Sequence, residues 1–600
     1  MPSFIRSAFG RSSNDDDRVT AVDAPQENGD QEKSGVTTAA TDKSGIPADA
    51  NILDEESKQN PNPEAQKGVY DMEAITLTWS RWALVAVFLN MWCLYFVNAM
   101  QSEIVGDLIP YITSKWDSHS LLNVIYVVSD TMTAACYMPL AKIMDMWGRA
   151  EGFFSMIVIA TVGIIIMAVA NNLPAFCAGY VFYNLGFGGM TYCVDVITAD
   201  SSLLRSRGLA YAFTSSPYII TAFAGPKAAQ DALDGMGMKW GIGLFAFILP
   251  VVASPLFFIL KSTLRKAGIV RPKSGRTWYQ SIYWYIVELD LVGLFFFSAG
   301  LTLFFIPFDL AGSAPSSWAT DYIITMIVIG FCMLFVFAGW EIWCAPRPLL
   351  PYNLLRDRTV LGACLLDATY QIAYYCWDNY FTSFLRVVDG LSVSQAGYIN
   401  NTFDVVGGVL LLGVGVIIRK TGRFHWMLWV SVPLYMVAQG LMIYFRRPDQ
   451  SYGYQVMCQV FISIGGSVFI IIEQLSILAA VDHQHVASAL ALLNVVGTIG
   501  DGMGGTISGA IWQNTFPNAL RRWLPESAMD NFYDIYEDID TQLSYAKGTA
   551  TRTAIDKAYA YAQSRMLAVG TGIMVLCFIW TLMIRNMDLR KMPQVKGMVF

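Results

Sequence analysis

Between Cys364 and Leu385 the chain reads CLLDATYQIAYYCWDNYFTSFL, long and apolar enough to cross a bilayer yet carrying two carboxylic acids. Projected on a helix at about 100° per residue, Asp367, Gln371, Tyr374 and Asp378 fall within about 60° of one another. A charge facing lipid costs roughly 2.5–3.5 kcal/mol even on the lenient insertion scale, so this stripe must face water or a polar interior. The same projection aligns polar residues in three other apolar segments. Asn90, Asn98 and Gln101 share a face, as do Tyr180, Asn184, Phe187, Thr191 and Asp195, and Gln455, Gln459 and Glu473. Glu473, Asp378, Asp367 and Asp195 are thus acids set inside apolar segments, positions that call for a polar cavity or a packed, paired setting. Tyr370, Trp377 and Phe381 stand among the acids of the first stretch. Intramembrane Asn and Gln also serve simply to hold helices together.

Positioning these groups requires many membrane helices. The chain has 600 residues, 54% hydrophobic and 14% charged, a membrane-protein composition. Residues 1–70 hold 13 acids and 7 bases with few large apolar residues, and read as a disordered cytoplasmic tail. Fourteen apolar segments follow, at 82–100, 120–141, 153–170, 174–197, 208–228, 240–260, 289–310, 322–343, 359–385, 396–418, 426–444, 454–479, 486–512 and 564–585. Alternate connections carry 20 Lys and Arg on one side against 5 in the short connections of the other, which predicts both termini in the cytoplasm. All ten cysteines lie in or beside apolar segments, and the four histidines form no ligand cluster. No metal site, resident cofactor, nucleic-acid patch or soluble nucleophile–base pair is apparent, so an enzyme is not expected. His483 and His485, in DHQH, are two apart and do not share a helix face, which favours a structural or gating role. Gly497, Gly505 and Gly509 read as helix-packing positions, with Asp501 among them either paired or functional.

Two connections repeat one pattern. AKIMDMWGR (Ala141–Arg149) follows the second segment and GVIIRKTGR (Gly415–Arg423) the tenth, both small-x-x-x-charged-x-x-Gly-Arg. Spans 1–6 and 9–14 are then two halves, with 7–8 inserted. This resembles the major facilitator superfamily in its 14-span form. The resemblance implies an all-α fold in which the first and fourth helices of each half line a central cavity, here the four helices bearing polar stripes. It makes Asp145, Gly148, Arg149, Arg419, Gly422 and Arg423 candidate gating-turn residues. Expected domains are 71–262 (first bundle), 263–358 (basic linker and inserted pair), 359–586 (second bundle, with a long outer loop at 513–563) and 587–600 (cytoplasmic tail). Ala141 and Met146 depart from the superfamily turn, where Gly and a basic residue are usual.

Longer stretches resemble the fungal siderophore–iron transporters of that superfamily. These include KWGIGLFAFILP (Lys239–Pro250), YYCWDNYFTSFLRVVDGLSVSQAGYINNTFDVVGG (Tyr374–Gly408), VMCQVFISIGGSVFIIIEQL (Val456–Leu475), AAVDHQHVASALALLNVVGTIG (Ala479–Gly500) and QLSYAKGTATRTAIDKAYAYAQ (Gln542–Gln563). The resemblance covers residues 70–590 and implies proton-coupled import of ferric siderophores by a monomer at a plasma or endosomal membrane. It makes Glu473, Asp378, Asp367 and Asp195 the candidates to carry the proton, and Tyr180, Phe187, Tyr370, Tyr374, Trp377 and Phe381 candidates for an aromatic surface against the chelate. Iron in such a chelate is already fully liganded, which fits the lack of Cys or His ligands. Tyr533, Tyr536, Tyr545 and Tyr559 are candidates for a lid over the entrance, or for the core of small outer helices. Rival readings are a glutathione– or drug–proton exchanger and a non-transporting nutrient receptor. A drug exchanger's Gly-Pro-x-x-Gly-Gly is degraded here, since Gly225 and Pro226 are followed by Ala229 and Gln230.

Overall fold

A computed structural model describes residues 66–116, 122–268, 277–311, 314–350, 352–592 and 599–600. The expected tail up to residue 65, His119, the basic residues at 271–276 and Lys596 lie outside the described residues. Twenty helices organise what is described. Those of the first half are α1 (Lys67–Thr78), α2 (Arg81–Ser114), α3 (Leu122–Met146), α4 (Arg149–Val169), α5 (Leu173–Asp200), α6 (Leu204–Ser215), α7 (Tyr218–Asp231) and α8 (Met238–Lys266). The insert holds α9 (Trp278–Glu288), α10 (Leu291–Leu310) and α11 (Asp321–Gly339). The second half holds α12 (Arg358–Asp378), α13 (Phe381–Val387), α14 (Val393–Thr421), α15 (His425–Phe445), α16 (Tyr452–Ala480), α17 (Val486–Trp523), α18 (Phe532–Glu537), α19 (Ile539–Ser544) and α20 (Ala550–Met583).

Among the described residues, 11 helices are long and apolar enough to cross a membrane. Helices α5 and α12 fall outside that set because polar residues lower their hydropathy, and α6 and α7 because, at 12 and 14 residues, each alone is too short. Several helices outrun their apolar cores. Helix α2 continues past Met100 through Glu103 and Asp107 to Ser114, and Asp107 is buried. Helix α17 runs on to Trp523 and α20 starts at Ala550, so the expected outer loop 513–563 shrinks to 524–549. Helix α1 begins inside the expected tail, with Gly68 and Val69 buried. Helix α9 was not expected. A Thr277 capping box starts it, and it shows Trp278, Tyr279, Ile282 and Tyr283 to the outside, as an interfacial helix does.

The two halves meet along α3 against α17 and along α6–α7 against α14, while α10 packs on both α3 and α17. At one crossing the backbones nearly touch. A Cβ on Gly415 would lie 3.0 Å from Leu209 Cα and 3.1 Å from the Gly208 carbonyl carbon, so nothing larger than hydrogen fits. The end of the bundle carrying residues 524–549 is called the loop end below, and the end carrying the Asp145 and Gly422 connections the turn end.

Candidate functional site

A cavity of about 420 Å³ lies between the halves. Asp195 at the end of α5, Asp367 on α12, Asp404 on α14 and Glu473 on α16 all face it, and no Lys or Arg lines it. Aromatic walls come from Tyr95, Tyr211, Tyr218 and Phe403, and further polar groups from Thr191, Gln371, Gln474 and Asn494. Tyr95 donates to Asp195 Oδ1 at 2.9 Å, and Tyr211 to the Asp195 carbonyl at 3.1 Å. Gln371, one turn after Asp367, hydrogen-bonds its carboxylate. The Asp367 and Glu473 charges act on each other, while Asp367 Oδ1 and Glu473 Oε2 have no protein partner. Asp367 Oδ2 packs onto Gly497, whose missing Cβ leaves it room. Four acids without a base make a cavity suited to protons, cations or neutral solutes, and hostile to anions.

Of the residues singled out from sequence, Asp195, Thr191, Asp367, Gln371 and Glu473 reach this cavity. The others do not line it. Asn90 donates to the Val252 carbonyl at 3.0 Å, binding α2 to α8, and Asn184 donates to Ser129 Oγ and Asp130 Oδ1, binding α5 to α3. Asn98, Gln101 and Gln459 are buried. Gln455 donates to Asp389 at 3.3 Å. Tyr180 and Phe187 pack on Tyr126 and Tyr183. Tyr370 and Tyr374 join a ring cluster with Tyr435, Phe469 and Phe403, and Tyr374 also meets Trp377. Trp377 and Phe381 are fully buried beneath the Arg446 guanidinium, at 4.5 and 3.8 Å. Arg446, expected in a short outer connection, is itself fully buried, donates to Gln563 at 2.7 Å and interacts with the charge of Asp378. Asp501 lies within electrostatic reach of Asp130 and Asp367.

The repeated turns are built differently. Gly148 takes φ 122°, which only glycine adopts easily, and Arg149 is buried between Asp145 (2.6 Å) and Asp200 (3.1 Å). His485, from the other half, stands within electrostatic reach of Asp145. Gly422 caps α14 in the left-handed region, and Leu589 donates to its carbonyl at 3.0 Å, while Arg419 and Arg423 stay exposed. Asp588 and Arg590 pair there at 2.7 Å, and the Arg590 hydrogen bonds hold the Asp588 carboxyl well below the usual range.

The expected lid residues separate. Tyr559 is fully buried against Trp512 and Phe516 and donates to Gln542, Tyr536 packs on Phe516, Tyr545 meets Asn531, and Tyr533 is exposed. Arg552 and Lys547 bind this region to the carbonyls of Val387, Val388 and Asp389.

Sequence reading missed Asp404, Tyr211 and Tyr218 because only four helices were searched for stripes and these stand on α14, α6 and α7, and it missed Tyr95 because the stripe on α2 was read from its amides alone. It also missed Glu103. On the loop-end side of the cavity, Asn401 donates to Glu103 Oε2 at 2.5 Å and to the Ala222 carbonyl at 3.3 Å, a bridge between the halves placed where α14 breaks. The Asp404 charge acts on Glu103, which links this bridge to the cavity.

Comparison with known proteins agrees with this architecture. The Major Facilitator Superfamily model matches residues 91–505. Siderophore iron transporter mirB of Emericella nidulans is 51% identical, over 95% of this chain and 94% of its own length. MFS siderochrome iron transporter D of Aspergillus fumigatus is 53% identical over 90% and 91%, and MFS siderochrome iron transporter 1 of Gibberella zeae is 48% identical over the whole of both chains. A bacterial homologue of the lysosomal transporter Spinster, in its inward-facing unoccupied form, shares the fold, with TM-score 0.51, 14% identity and 84% and 98% coverage. The chain therefore belongs to the Major Facilitator Superfamily and, within it, to the family of fungal siderophore iron transporters.

Proposed function

We propose that this protein imports ferric siderophores and that protons drive the uptake. The observation that carries this reading is the cavity, with four acids, aromatic walls and no base. A tris-hydroxamate ferric chelate is neutral, or cationic where it keeps a free amine, and suits such a cavity. A tris-catecholate chelate carries three negative charges and is repelled by it. One proton moving inward gains roughly 2.3 kcal/mol per 100 mV, against about 1.4 kcal/mol for tenfold accumulation. Glu473 and Asp367, which line the same cavity and act on each other's charge, are the coupling pair we favour.

Fourteen spans are the reading that the helices support. The 11 apolar helices are joined by α5, α6–α7 and α12, whose lengths suit a bilayer and whose polar faces point inward. An even number places both termini on one side, and the Lys and Arg distribution makes that side the cytoplasm. Residence in the plasma membrane or endosomal vesicles, and action as a monomer, complete the proposal.

The test is uptake of radio-iron chelates by yeast lacking its own siderophore carriers, at acidic and near-neutral pH, with and without a protonophore. Accumulation of a hydroxamate chelate that collapses with the protonophore is expected. No accumulation of any chelate by correctly targeted protein would refute siderophore import, and uptake indifferent to the protonophore would refute the coupling.

A further inference from the structure

The inserted helix α10 forms, with α17 and α20, a second cavity that faces away from the transport path. It measures about 570 Å³. Its walls are Phe304, Phe305 and Phe308 on α10, Met503 to Thr515 on α17, and Val569 on α20. From Met503 to Asn514 the groove follows α17 for about 16 Å at ~1.5 Å per residue, close to half of a hydrocarbon core ~30 Å thick. It is therefore one leaflet deep. Most of the lining is apolar, with Thr506, Asn514 and Thr515 its uncharged polar side chains, and a single charged residue, Arg565, lines its loop end.

Arg565 is exposed and rests 4.3 Å over the ring of Tyr561, whose hydroxyl accepts one of its hydrogen bonds. Tyr561 meets Trp523 edge-on, with ring centroids 5.8 Å apart. Tyr and Trp with an apolar body and a polar tip settle at the headgroup level, which places Arg565 at the same depth. No carboxylate pairs with Arg565 among the described residues, and the Tyr561 bond leaves most of its five donors available. A cation at the mouth of an apolar, leaflet-deep groove matches one ligand in charge and in length. The phosphodiester of a membrane lipid lies at headgroup depth and accepts a paired guanidinium contact, and its acyl chain descends from there.

We propose that this groove is a phospholipid site: one acyl chain lies between α10 and α17, and Arg565 holds the phosphate. Because α10 also packs on α3, with Thr302 and Thr131 hydroxyls 3.1 Å apart, the lipid sits beside the seam between the halves. The insert thus has a function of its own, to build a lipid-filled wall along that seam.

The test is native mass spectrometry of the full-length protein, purified in mild detergent and stripped by repeated washing, then titrated with dioleoyl phosphatidylglycerol. One lipid is expected to bind with a Kd well below that of further lipids. Arg565→Gln is expected to weaken that first binding at least tenfold and Arg565→Lys by less. Ala510→Trp, which fills the groove, is expected to abolish it. Thermal unfolding of each variant in the same detergent checks folding, and Arg565→Gln, at an exposed position, is the decisive variant. Equal first-site affinity in wild type and Arg565→Gln would overturn the proposal. So would displacement of the lipid by a sterol hemisuccinate at equal concentration, which would mark a sterol site instead.

Discussion

Glu473 and Asp367 illustrate what a single residue contributes here. Each is buried, each lines the cavity and keeps a buried oxygen without a protein partner, and the two charges act on each other. Glu473→Gln keeps the shape but cannot exchange a proton. It should still bind chelate, while losing accumulation of up to roughly fiftyfold per 100 mV, the leverage of one proton; binding and protonophore-sensitive uptake measured in parallel will check this. Gly497 supplies an independent test of Asp367. Gly497→Ala places a methyl group where Asp367 Oδ2 now lies, so uptake should drop about as far as in Asp367→Asn, for a stability cost of only about 1–3 kcal/mol. Thermal unfolding beside uptake separates the two effects. The helical projection found Asp367 and Gln371 because α12 is regular over both. It misplaced Trp377 and Phe381 because α12 ends at Asp378 and Arg446 covers both rings, and a distant buried arginine leaves no mark in local periodicity.

At the scale of elements, apolar runs reported the centres of the helices but not their ends. Glu103 and Asp107 look like residues that stop a span. They continue α2 because Asp107 is buried and Glu103 is half-buried at the contact with the other half. The break in α14 at Asn401 serves the same contact, turning its amide toward Glu103. Asn401→Asp would set a carboxylate against Glu103 and Asp404, and should cut uptake. Adding Glu103→Gln returns a donor facing an acceptor and should restore a good part of it. Failure of the double variant, with both proteins present at the membrane, would show that the bridge has no part in closing this side. The repeated turns were legible as a repeat, but their different roles were not. Asp200, which completes the Arg149 site, is 51 residues away, and Leu589, which dresses Gly422, is farther still.

For the whole molecule, composition and the duplicated turn were enough to indicate a two-half membrane carrier, whereas the cavity depends on where eight helices converge, which no single stretch records. That cavity holds four acids and no base. An alternating-access carrier opens such a site to each side of the membrane in turn, so any charge that the acids keep sees the potential drop first on one side and then on the other. A unit charge crossing the full potential is worth roughly 2.3 kcal/mol per 100 mV. The empty carrier is then itself an electrical element, and the membrane potential biases its return. Transport of a chelate with no net charge should accordingly change with clamped voltage, and presteady-state currents should appear with protein alone and shrink in Asp195→Asn, Asp367→Asn and Asp404→Asn as each charge is removed.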